Sequence, residues 1–520
     1  MKALDLAIIF GYLIGVTLLG TWFAGKQETT RDYFLGDRTV PWWAIAASIV
    51  ATETSTITFI SVPGIAFARG GNFQFLQLVF GYMLGRIVIS LLFIPSYFRG
   101  ELLTVYQLLD RRFGVKIKML AAALFVVMRN IADGIRLLLT AIVLAAVYTA
   151  FQPGANADML IVASIILIGV VMIVFTYFGG MEAVIWVEVV QLGIYIAGAI
   201  AAAVVLVHST EGGLTAALAA GSQFGKFQLF DFSLDFTKTF TFWAGLIGGC
   251  FLTMSTHGTD QYLVQRYLCT DRPRRAATAL LTSGAIVLAQ FIGFLFIGVL
   301  LFAFYHPYTD TAYASLQTAQ AAYPFTGGDR VFPDFITKHL PSGLSGLVVA
   351  AIFAAAMSSS LNSIAATAVN DLYKPFRPKR SDKHYLKVSH WLTLLWGIVQ
   401  IAVALFVRHR NRSALDQALS IASLINGPVL GVFLVGTFLR RVSEPPALIG
   451  MGASLLLMLY VFLTTKIAWT WYVLIGSLLT FFIAWLASFA FAPAPESRRD
   501  ELSPSGAVEE LLPVAETEKL

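Results

Sequence analysis

Along the chain, apolar runs of about twenty residues alternate with short polar segments, many of them basic. A hydrocarbon layer about 30 Å thick takes roughly twenty helical residues to cross. Runs long enough occur at 4–24, 42–62, 73–97, 119–150, 157–178, 183–207, 240–256, 276–305, 342–372, 388–407, 414–438, 446–464 and 469–491. The pattern predicts an all-α integral membrane protein with about 13 transmembrane helices over residues 1–491. Met1–Phe23 carries Asp5 where a secretory signal is basic and lacks a small-x-small site before Gly25, so it reads as an uncleaved span. Residues 492–520 are rich in Pro and Glu and read as a disordered cytoplasmic tail.

Composition agrees: 57% of the 520 residues are hydrophobic and 13% charged, too apolar for a soluble domain. The basic residues decide orientation. Lys26, Arg31 and Arg38 follow the first span, and Arg99, Arg111, Arg112, Lys116 and Lys118 follow the third. Arg266, Arg272, Arg274 and Arg275, then Lys374 to Lys387, then Arg440 and Arg441 fall on the same side. Those loops are read as cytoplasmic, with the N-terminus outside and the C-terminus inside; Arg408, Arg410 and Arg412 dissent. The net charge of +6 then reflects topology and gives no reason to expect a nucleic-acid partner. Cys250 lies in a span and Cys269 in a cytoplasmic loop, so no disulfide is expected.

The sequence has no G-x-x-x-x-G-K-[ST] phosphate loop, no H-E-x-x-H and no nucleophile–base pair in its spans, which disfavours a pump or an intramembrane enzyme. Polar residues inside the spans are expensive and tend to be functional. "AAAMSSSLNS" (354–363) sets Ser359 and Ser360 each within a turn of Ser363, a face of oxygens suited to a hard monovalent cation. "ASIVATETSTITFISVPG" (47–64) puts Glu53 among Thr52, Thr54, Ser55, Thr56 and Thr58, ahead of Pro63-Gly64. This predicts a discontinuous helix whose freed carbonyls bind cations, and Glu53 must be compensated by a cation, a proton or Arg136. "MRNIADGIRLLL" places Arg129, Asp133 and Arg136 on one helix face, where Arg136 either binds a substrate carboxylate or pairs with Asp133.

Several motifs in order resemble the sodium:solute symporter family: "FIPSYFRGELLTVYQLLDRRFG" (93–114), "YFGGMEAVIWVEVVQ" (177–191), "GTDQYLVQRYL" (258–268) and residues 331–373. The resemblance implies an inverted repeat of five plus five core helices of the leucine-transporter type. One leading helix (4–24) precedes the repeats at 42–207 and 240–438, and two trailing helices (446–491) follow. It implies a secondary active transporter in the cell (inner) membrane, moving sodium with a small organic solute by alternating access. Its sodium site would use the carbonyls of Ala51, Thr54 and Ala356 and the hydroxyls of Ser359 and Ser360. A second cation or proton site, an aspartate and a serine pair in some members, would fall on Glu188, Asn362 and Ser363, with Glu53 as a further candidate. Substrate would meet Ser55, Thr58, Phe73 and Gln77, positions resembling those used by sialic-acid members, and Arg136. Sugar-carrying members resemble the 47–64 stretch with Asn at the position of Glu53 and proline symporters with Asp, which tilts the expectation toward the proline and organic-solute branch. Proton coupling on the same fold is the runner-up. A membrane sensor is the alternative of another class, though the tail of about thirty residues leaves no room for a kinase.

Overall fold

The computed structural model describes residues 3–22, 27–54, 56–152, 154–309, 324–325, 327–356, 360–409, 420, 424–499 and 501–502. Among them the regular elements are helical, as lipid demands of a spanning backbone without a closed sheet. The helices used below are α1 (Ala3–Thr21), α2 (Trp42–Glu53), α3 (Thr56–Phe67), α4 (Leu76–Leu92), α5 (Val115–Phe151), α6 (Ala157–Ser209), α7 (Gly213–Gln223), α8 (Gly249–Gly258) and α9 (Gln261–Leu268). They continue with α10 (Pro273–Tyr305), α11 (Leu344–Ala356), α12 (Leu361–Thr367), α13 (Asp382–Val407), α14 (Asn426–Phe438), α15 (Glu444–Thr464) and α16 (Tyr472–Ala487).

Among the described residues, seven helical segments are long and apolar enough to cross a membrane, or eight if α2 and α3 count as one bent span. The 37-residue α5 is long enough too, and carries Arg129, Asp133 and Arg136 along its length. The expected spans 157–178 and 183–207 are the two halves of α6, which turns at Gly180. Gly180 holds φ 61°, a conformation that favours glycine, and a Cβ there would lie 2.7 Å from the Tyr33 carbonyl.

The discontinuity expected in 47–64 is present but not at the proline. Helix α2 ends at Glu53, Thr54 leaves helical geometry (ψ 88°), and the axis bends by 62° into α3. Pro63 and Gly64 lie inside α3, which continues to Phe67. The threonine-rich stretch carries the break, since β-branched side chains lose freedom in a helix and hydroxyls compete for backbone groups. Gly64 serves instead as a contact, packing on the backbone of Gly328.

The basic loops gather on one face. Arg31 pairs with Glu101 at 3.1 Å, Arg38 donates to the Leu102 carbonyl, and Thr30 donates to Asp382 at the start of α13. Arg112 donates to the carbonyls of Gly436, Leu439 and Val442. At the other helix ends, Asp5 accepts from the amides of Gly343 and Gly346 before and within α11, and Arg408 meets Asp158 at 3.6 Å. Arg408 thus has an acidic partner on that face; Arg410 and Arg412 lie outside the described residues.

Candidate functional site

At the break, Val50's carbonyl is taken by the Thr54 amide and by its hydroxyl at 2.8 Å. Ala51's carbonyl follows in the last turn of α2, where the helix ends at Glu53. Thr54 Oγ1 also meets Gln290 of α10 at 3.0 Å. Across the molecule, α11 ends at Ala356 and α12 begins after Ser360; Ser359 and, on the α2–α3 side, Ser55 lie outside the described residues. Ser360 is buried and donates its proton to Asp133. A hydroxyl that gives its proton to a carboxylate turns its lone pairs elsewhere and becomes a better cation ligand. Asp133 therefore joins the candidate site behind Ser360, a role sequence reading missed; an acid among span residues was the signal.

A cavity of about 440 Å³ lies beside the break, within the range of small-molecule sites. Thr52, Glu53, Thr58, Tyr82, Arg136 and Phe291 are among its walls. Glu53 finds its countercharge in Arg86 of α4 at 2.5 Å, with His257 of α8 at 2.6 Å, and not in Arg136. Thr256 Oγ1 lies 2.9 Å from the other His257 ring nitrogen. Sequence reading passed over Arg86, although a lone arginine in an apolar span demands a partner as strictly as a glutamate does.

The charges of α5 divide. Arg129 pairs with Asp260 at 2.6 Å, and that aspartate also caps α9 by accepting from the Tyr262 amide. Arg136 approaches Asp133 at 3.5 Å and keeps 23% of its side chain exposed toward the cavity. Phe73 and Gln77 go elsewhere. Gln77 is buried, donates to the Phe240 carbonyl and accepts from the Asp231 amide, while Phe73 rests on Phe227. The residues from Phe73 to Phe75 form a tight 3-10 turn before α4, so spacing by four does not align Phe73 with Gln77. Phe75 and Tyr82 take the cavity wall instead.

The remaining candidates sit toward the basic face. Glu188 of α6 is buried against Arg266 of α9 at 2.6 Å, with Ser48 and Thr52 of α2 hydrogen-bonded to its carboxylate. Asn362 accepts from Gln265 at 2.6 Å and donates to the Tyr33 carbonyl; Ser363 is buried beside it in α12.

A bent helix facing a cavity that holds Glu53, Arg129 and Arg136, inside a bundle of apolar helices, describes a solute carrier, and comparison with known proteins agrees. The family model of the sodium:solute symporter family matches residues 33–453. The chain is 31% identical over 506 residues to the sodium/sialic acid symporter NanT of Aliivibrio fischeri, covering 96% of each chain. It is 28% identical over 468 residues to the human sodium/iodide cotransporter, covering 88% of this chain and 69% of that one. A solved substrate-bound, outward-open Na+-coupled sialic acid symporter superposes with a TM-score of 0.82 at 28% identity, covering 95% and 99% of the two chains. Mhp1, a nucleobase-cation-symport-1 family transporter, shares the fold at a TM-score of 0.56 and 14% identity.

The chain belongs to the sodium:solute symporter family. It has the leucine-transporter-type helical fold and is a multi-pass membrane protein that couples sodium to the symport of a small solute, a transporter and not an enzyme.

Proposed function

We propose that this symporter takes up a small organic anion, with the solute's carboxylate held at Arg136 and sodium held by Ala51, Thr54, Ala356, Ser359 and Ser360. The observation that carries the reading is the Arg136 guanidinium, which lines the cavity while its approach to Asp133, at 3.5 Å, is too long for a close pair. An arginine fork is suited to a planar carboxylate. Relatives named for sialic acid, iodide and monocarboxylate all carry anions, which supports the same choice. Thr58 and Ser61 on the facing wall supply hydroxyls for the rest of the solute.

Sodium in this scheme bridges the break between α2 and α3 and the junction of α11 and α12, so its binding favours one relative placement of the two helix pairs. The repeats are 42–207 and 240–438, the leading helix is 4–24, the trailing pair is 446–491, and residues 492–520 form a cytoplasmic tail. The gathering of basic loops on one face supports an outside N-terminus and a cytoplasmic C-terminus in the cell membrane.

Uptake into sodium-loaded-outside proteoliposomes tests the solute class with sialic acid, short monocarboxylates, proline and glucose as probes. A carboxylate without an amino group is expected to be transported, and Arg136→Gln to weaken its half-saturation by roughly 10- to 100-fold, the worth of a charge-assisted hydrogen bond. Transport confined to proline or glucose, or an unchanged half-saturation in Arg136→Gln, contradicts the proposal.

A further inference from the structure

We infer that Arg266 is a built-in cation standing where a second coupled sodium would bind, so that one sodium accompanies each solute; the inference rests on the sodium-coupled reading above. Glu188, Ser48 and Thr52 together offer a carboxylate and two hydroxyls, an oxygen set fit for a hard cation. The guanidinium already fills it. Arg266 Nη2 lies 2.6 Å from Glu188 Oε1 and Nε 3.2 Å from Oε2, a two-point pairing, while Nε lies 3.0 Å from Ser48 Oγ. Thr52 Oγ1 donates to Oε1 at 3.1 Å. Glu188 is 1% exposed and Arg266 fully buried.

The arginine is also held from behind. Its Nη1 donates to the Tyr262 carbonyl, and its guanidinium lies 4.7 Å from the centre of the Tyr262 ring. Asn362, a further candidate ligand, turns its oxygen to Gln265 at 2.6 Å and its amide nitrogen to the Tyr33 carbonyl at 3.2 Å. A sodium ion entering here would have to expel a guanidinium that does not lose its proton and has no water to go to. The residues at this position therefore do not fit a second exchangeable ion. They form a permanent tie among α2, α6 and α9, whose strength does not vary with sodium concentration.

The test counts ions. Equilibrium binding of radioactive sodium to the purified full-length protein in detergent, at constant ionic strength with choline as the replacement cation, should give one ion per wild-type chain. Arg266→Gln removes the resident charge and leaves Glu188 with an added amide oxygen, so two ions per chain are expected. The double variant Arg266→Gln with Glu188→Gln should return to one, and it keeps the proposal testable where the single variant folds poorly. Two ions on the wild type, or on the double variant, overturn the inference alone, as does a folded Arg266→Gln that binds one. No sodium on the wild type overturns both the inference and the sodium site on which it rests.

Discussion

Glu53, on the cavity wall, meets the buried Arg86 at 2.5 Å, joining the last residue of α2 to the middle of α4, with His257 of α8 against the same carboxylate oxygen. Three helices are thereby fixed to one another at the point where the broken helix bends. The pair is buried on the arginine side and 16% exposed on the glutamate side, so solvent does little to compensate a missing partner.

Removing one member of such a pair strands the other charge, at a cost of about 3 kcal/mol. Glu53→Gln is therefore expected to lower the thermal stability of the purified protein markedly, and the double change Glu53→Gln with Arg86→Met to recover much of the loss. Loss of sodium affinity in Glu53→Gln with stability unchanged would instead assign the carboxylate to the ion.

The sorting of loops into two faces is checked by labelling. With Cys250 and Cys269 replaced by alanine, Lys379→Cys is expected to react only with reagent on the cytoplasmic side of intact cells and Leu234→Cys only with reagent outside. Both positions are exposed. Reaction from the same side refutes the proposed orientation.

Lys226, in the loop after α7, donates to the carbonyls of Phe67 and Ala68 at the end of α3 and lies over the Phe302 ring. Burial pushes its ammonium down from 10.5 to about 7. The folded chain then releases a proton that the unfolded chain keeps, so stability should rise as pH rises from about 7 to 10.5. Thermal melts of Lys226→Met should lack that part of the rise; an identical pH profile in wild type and variant would contradict the assignment.

What the sequence made legible was local. The helix break follows from the crowding of hydroxyl and β-branched residues at 52–58, because it depends on the conformational preferences of adjacent residues, and the apolar runs 157–178 and 183–207 mark the two halves of α6. The partners of the buried charges were not legible. Glu53 and Arg86 are separated by the whole of α3, a loop, a 3-10 turn and more than half of α4, and Glu188 and Arg266 by far more chain, so their pairing exists only once the helices pack. The separation of Phe73 from Gln77 was not legible for a smaller reason: a 3-10 turn shifts the start of α4 to Leu76 and rotates the face that spacing alone assigns.

The central claim is that sodium bound by the oxygens around the α2–α3 break and the α11–α12 junction drives uptake of an organic anion. Its most direct test is the sodium dependence of anion uptake in proteoliposomes for wild type, Ser360→Ala and Asp133→Asn. Ser360→Ala is expected to raise the sodium concentration at half-maximal rate by about tenfold, a change of ~1.4 kcal/mol, and Asp133→Asn to raise it by less, since that residue acts through Ser360. A sodium dependence in Ser360→Ala that coincides with the wild type would contradict the account.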